Sequence, residues 1–142
     1  MSRQGVRIVL LFILLGVSWY FGKPQNSAVS GPAPTTSVSA SARQTWGHPE
    51  TLPDHFARHG PDFGARTPDE YAAQAHAFLQ RARTSGLAAK RDRNGELRIY
   101  DPATDTFGAY NADGTTKTFF KPGNPSYFDH QPGDRVDLRT AR

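Results

Sequence analysis

From Ile8 to Phe21 the chain reads IVLLFILLGVSWYF, an almost wholly apolar run behind Arg3 and Arg7. This run limits how much of the chain is left to build a globular core. A basic start followed by an apolar stretch is the pattern of a secretory signal. The run is shorter than the roughly 20 residues of a comfortable spanning helix. Trp19, Tyr20 and Lys23 at its far end suit a membrane interface. Residues 1–23 are therefore expected to be a signal peptide or a signal anchor, met by the membrane or the export machinery. The arginines place the N-terminus in the cytoplasm. The rest of the chain is then expected outside it, secreted or anchored in the inner membrane.

Residues 24–45 read PQNSAVSGPAPTTSVSASARQT. Such a segment buries too little apolar surface to offset its ordering entropy, which predicts a disordered tether. Residues 46–142 remain, enough for one self-sufficient domain. There is no cysteine, so disulfides, thiolate nucleophiles and cysteine metal sites are excluded. The pI near 9.7 suggests a nucleic-acid binder, but Arg3, Arg7 and Lys23 lie around the apolar run. From Arg43 onward 14 Lys and Arg face 13 Asp and Glu, so the domain is nearly neutral and only a local basic patch could steer RNA.

Thr51 to His59 predicts a short helix, with Thr51 as cap, Pro53 in the first turn and Gly60 as stop. Thr67-Pro68-Asp69-Glu70 opens a second helix. Its apolar stripe is Tyr71, Ala72, Ala75, Phe78, Leu79 and Ala82, and Gly86 ends it. From Leu87 the period changes to strands. Asn94-Gly95 turns the first hairpin, Pro102 to Asp105 the second and Ala112-Asp113-Gly114 the third. The expected class is α+β, with N-terminal helices packed on one face of a four-stranded antiparallel sheet. Tyr127 and Phe128 are expected to anchor a polar tail with a frayed end.

His55 and His59 share one helical face. As metal ligands they would need a third partner, Asp62 or His130, and no HExxH pattern is present. As acid/base groups they titrate near neutrality and can move protons in RNA cleavage. One of them could equally bond a loop carbonyl. On the fourth strand Thr118 could hold a phosphate. Strand alternation puts Lys117, Phe119 and Lys121 on the opposite face, where lysine could neutralise developing charge. Lys90, Arg91, Arg93 and Arg98 surround the first hairpin as phosphate contacts or as a solvated face. Tyr100 and Tyr110 could stack a base or pair across strands.

The run DHFARHGPDFGARTPDEYAAQAHAF, with LRIYDPATDTFGAYNADGTTKTFFKP after it, resembles the ribonuclease domains of bacterial polymorphic and contact-dependent-inhibition toxins. These belong to the barnase–EndoU–colicin–RelE-like group. The resemblance spans roughly Leu52 to Gln131. It implies helices before a four-stranded antiparallel sheet. It also implies metal-independent cleavage of RNA, often tRNA, through attack by the ribose 2′-hydroxyl, with no cofactor. By position it implies His55 as general acid/base, Thr118 on the scissile phosphate, and Arg91 or Lys121 against the developing charge. His59 is the second acid/base candidate. Lys90, Arg98, Tyr100 and Tyr110 are the expected RNA contacts. A cognate immunity protein is the implied partner. The alternative is a non-catalytic, envelope-anchored interaction module, which the export segment, tether and near-neutral domain also fit.

Overall fold

The computed structural model describes residues 41–141. The expected export segment and most of the tether lie outside the described residues. Among the described residues no helix is long and apolar enough to cross a membrane. Composition puts residues 41–45 in the tether, but they are part of the folded unit. Residues 41–44 are helical, Ala42 is buried and Arg43 is bonded to Asp69. The Thr45 carbonyl and Gly47 amide pair with the Thr116 backbone, which seats Trp46 in the core at 2 % exposure.

Helix α1 spans Leu52–His59 after a 3-10 turn at Pro49–Thr51. Two expectations about its ends are corrected. The Thr51 hydroxyl does not cap it; it donates to the His48 carbonyl at 2.8 Å and accepts from the Trp46 indole at 3.2 Å. Gly60 does not stop it either. Gly60 stays helical at φ −53° and leads into a 3-10 turn, Gly60–Phe63, which ends at Gly64 with φ 65°. Gly60 is set by packing, since a Cβ there would lie 2.4 Å from the Phe56 ring.

Helix α2 spans Pro68–Ser85 and follows its local code. Thr67 Oγ1 accepts from the Glu70 amide at 3.1 Å, and Gly86 takes the left-handed conformation at φ 68°. The Glu70 carboxylate accepts from the Arg66 amide at 2.7 Å, so the capping box closes one residue earlier than usual. All six residues of the expected stripe are buried. They form the centre of a core shared with Leu97, Ile99, Tyr110 and Phe119.

The strands are β1 (Ala88–Arg91), β2 (Leu97–Asp101), β3 (Thr106–Tyr110), β4 (Thr116–Phe120) and β5 (Asp134–Val136). They form one antiparallel sheet in the order β4-β3-β2-β1-β5. The fifth strand corrects the four-stranded expectation. The polar tail returns to the open edge of β1, pairing Ala89 with Val136 and Arg91 with Asp134. Covering that edge satisfies backbone groups that would otherwise be free to pair with another chain. Leu138 beyond it is buried, so the described tail is folded in rather than frayed.

The helices cover one face of the sheet. On the other, Tyr127 and Phe128 anchor the tail as expected. Tyr127 meets Phe107 at 5.0 Å and Phe128 stacks on Tyr100 at 5.9 Å. A bulge interrupts β4: Ala109 pairs with Thr118, but Tyr110 pairs with Thr116. The extra residue breaks simple alternation. Lys117 therefore does not share a face with Phe119 and Lys121; it reaches Glu96, while Phe119 is buried in the helix-side core.

Candidate functional site

Helix α1 lies beside β4, an edge strand of the sheet. His55 and His59 are one turn apart, with ring centroids separated by 6.4 Å. His55 leans edge-on against Trp46 at 5.2 Å. His59 lies 5.4 Å from Phe120. Thr118 shares with Phe120 the face that meets Phe107 and Tyr127. It lies two residues up the strand, about 7 Å by strand geometry. His59 thus meets β4 at Phe120, while Thr118 lines the sheet face away from the helices with Phe107 and Tyr127.

Both imidazoles are half-buried and titrate below 6.5. For each, loss of hydration is the largest cause and the Arg58 charge adds to it; His59 also lowers His55. Asp54 opposes the shift at His55, and Asp62 opposes it at His59. At neutral pH both rings are therefore mostly neutral and able to accept a proton. His55 Nδ1 is buried without a partner, which leaves Nε2 to meet a substrate. Arg58 follows His55 by three residues and precedes His59; it is exposed, and its Nε donates to the Asp54 carbonyl at 3.2 Å. It is the cation nearest the pair in chain position, and the hairpin-centred reading of the cations passes over it. Its one available signal was its place in HFARH.

The other candidates are dispersed. Arg91 is on β1, three strands from β4, or about 14 Å across the sheet. Its Nε is buried without a partner. Lys121 sits on the helix side, over the Phe63 ring at 5.6 Å. Lys90 is buried, and its ammonium donates to the Asp129 and Gln131 carbonyls at 2.8 Å each. Arg98 is ion-paired with Asp92 and Glu96, and its side chain is 12 % exposed. Tyr100 and Tyr110 belong to opposite faces of the sheet. The Tyr100 hydroxyl donates to Asp105 at 3.0 Å, and the Tyr110 hydroxyl donates to the Ala75 carbonyl at 2.7 Å.

Residues of the YDPATDTFGAY run mostly shape the backbone. The Asp101 carboxylate accepts from the Ala103 amide, the Thr104 hydroxyl and Arg81. Asp105 has φ 49° and also accepts from the Gly123 amide at 2.9 Å. Gly108 leaves room for the Tyr110 ring, whose hydroxyl would lie 2.7 Å from an added Cβ. This run accounts for a β2–β3 turn and its packing, not for reactive groups.

The chain matches no protein-family model, and no curated protein matches it significantly.

Among the described residues no three His, Asp or Glu side chains gather into a metal site. The third ligands considered from sequence are accounted for separately. His130 is exposed and bonded to the Ser126 carbonyl at 2.8 Å, while Asp62 lies in the turn after α1. The α1 face beside β4 offers two imidazoles and an exposed arginine, groups able to exchange protons and to meet an anion.

Proposed function

We propose that the domain is a toxin-like endoribonuclease, secreted or membrane-anchored, that cleaves RNA by metal-independent transphosphorylation. The observation that supports this best is the half-buried His55/His59 pair, one turn apart on α1, with both pKa values lowered so that below 6.5 one ring can be neutral while the other carries a proton. His55 Nε2 takes the proton of a ribose 2′-hydroxyl, and the oxygen attacks the adjacent phosphorus. The P–O5′ bond breaks, and His59 in its protonated form gives a proton to the departing oxygen. The products are a 2′,3′-cyclic phosphate and a 5′-hydroxyl. Arg58 stabilises the phosphorane oxygens, as a preorganised donor does where charge develops. A cognate immunity protein would be acidic and would cover the α1 face, where an exposed cation stands beside the histidines.

The test is incubation of residues 41–142 with total RNA and tRNA in EDTA. Cleavage to cyclic-phosphate ends by the parent protein, lost in His55→Ala, is the expected result. Intact RNA from a folded parent removes the reading. The second reading, an envelope-anchored interaction module without catalysis, is favoured by one observation: Lys90 and Arg98, expected on RNA, are engaged inside the domain. Stoichiometric binding to an envelope component by a protein inert toward RNA would establish it.

A further inference from the structure

On the helix side, at the end of the sheet nearest Phe63, α2 and β4 leave an open groove of about 480 Å³. Its size lies within the range of small-molecule sites. Three aromatic side chains back it: the partly exposed Phe63 stacks on the buried Phe119 at 4.1 Å with 21° between their planes, and the buried Phe78 adjoins Phe119 at 5.6 Å. Two cations stand at the groove. Lys121 has no ion pair among the described residues, and Arg81, tied to Asp101, keeps half its side chain exposed. Gln74 supplies an amide used at one end only. Its Nε2 donates weakly to the Phe63 carbonyl at 3.4 Å, while Oε1 is buried without a partner. A buried acceptor left unpaired is costly and is relieved by a ligand N–H.

The partly exposed Phe63 ring, an unsatisfied amide and flanking cations suit a nucleobase carrying a phosphate. Bases stack on aromatic side chains whatever their sequence, the amide can read a base edge, and lysine meets the phosphate. The groove also adjoins the histidine edge. Asp62 lines it, and the Asp62 charge acts on His59. Lys121 follows Phe120, the ring against His59.

We propose that this groove is a nucleobase subsite that holds the RNA next to the scissile phosphate. The assignment rests on the ribonuclease reading and supplies it with a source of base preference.

The test uses the full-length protein and measures binding by calorimetry, so it does not depend on cleavage. The probes are the four 5′-nucleoside monophosphates, ribose 5-phosphate, and a 2′-O-methyl tetranucleotide that cannot be cleaved. Nucleotides should bind at least tenfold more tightly than ribose 5-phosphate, and the tetranucleotide more tightly than any monophosphate. Ala77→Trp, at an exposed position on the groove wall, should weaken nucleotide binding at least tenfold. Gln74→Leu should change the order of preference among bases. Equal binding of nucleotides and ribose 5-phosphate overturns the subsite, as does unchanged binding in a folded Ala77→Trp protein. A tetranucleotide that binds no better than a monophosphate overturns its assignment to RNA. RNA cleavage with an unaltered base preference in Ala77→Trp sinks the subsite and leaves the ribonuclease standing. Groove-dependent binding of the tetranucleotide by a protein that cleaves no RNA supports the base site and removes the ribonuclease.

Discussion

Trp46 and His55 meet edge to ring, 5.2 Å apart and 60° between planes, and this contact ties the start of the folded unit to the candidate site. The indole is buried against Tyr71 as well, so one side chain both completes the core and dries one histidine. Trp46→Ala should cost about 3–5 kcal/mol, in the range of large aromatic truncations in cores. In the surviving folded fraction, the His55 pKa should move up toward 6.5. Denaturant unfolding reads the first effect and an NMR titration of the imidazole reads the second; an unmoved pKa would show that Trp46 does not desolvate the ring.

Acidification should destabilise the domain through the same two histidines. Their folded-state pKa values lie below 6.5, so the unfolded chain binds more protons between those values and 6.5. Stability is therefore fully present above 6.5 and declines as the pH falls through and below that value. In the double variant His55→Gln, His59→Gln the decline over that window should be shallower. Chemical denaturation at a series of pH values checks this, and parallel curves for parent and variant would refute it.

If the histidines divide the acid and base roles, cleavage should follow a bell whose optimum lies below 6.5, because the acid must be protonated. Arg58→Gln should lower kcat/KM for RNA by about tenfold or more, by removal of a charged donor from the phosphorane. It should also raise both imidazole pKa values, shifting the bell to higher pH. A loss of rate with no shift in the bell would separate the two roles of the guanidinium.

Lys90 should matter to folding rather than to RNA. Lys90→Met keeps the apolar stem but leaves the Asp129 and Gln131 carbonyls without their donor, at a cost of about 1–3 kcal/mol. Amide exchange should quicken mainly in residues 127–131. Uniform exchange across the sheet would show that the tail is not held by this contact.

At Asp105 two demands coincide, a φ of 49° and acceptance from Tyr100 and Gly123. Asp105→Gly relieves the backbone but loses both bonds, Asp105→Asn keeps an acceptor, and Asp105→Ala loses on both counts. Thermal unfolding should rank Ala as the most destabilised.

Helix α2 was legible because its cap, its Pro68, its stripe and its Gly86 are all local signals. The ends of α1 were not. Gly60 reads as a stop, yet the Phe56 ring decides its use, and the Thr51 hydroxyl is taken by His48 and Trp46. Strand β5 is three residues, Asp-Arg-Val, without an alternation to detect; it forms because β1 offers an edge. The His55/His59 pair could be seen from its spacing, but its desolvation depends on Trp46 and Phe120, which approach from elsewhere in the chain. Sequence lists cations without their partners. It could not show that Lys90 and Arg98 were already engaged while Arg58 stayed exposed. The groove at Gln74 joins a helix, a turn and a strand end, and has no signature in any single segment.

The pairing of β5 with β1 also sets an order of events during synthesis. The last strand to emerge docks on the first, across more than forty intervening residues (Arg91 to Asp134). A nascent chain can build α2 and the β1–β4 meander early, but the edge of β1 stays open until Asp134–Val136 has emerged. A nascent chain that has not yet exposed Asp134–Val136 would thus hold a sheet with one sticky margin, and the emergence of those three residues would be the step that seals it.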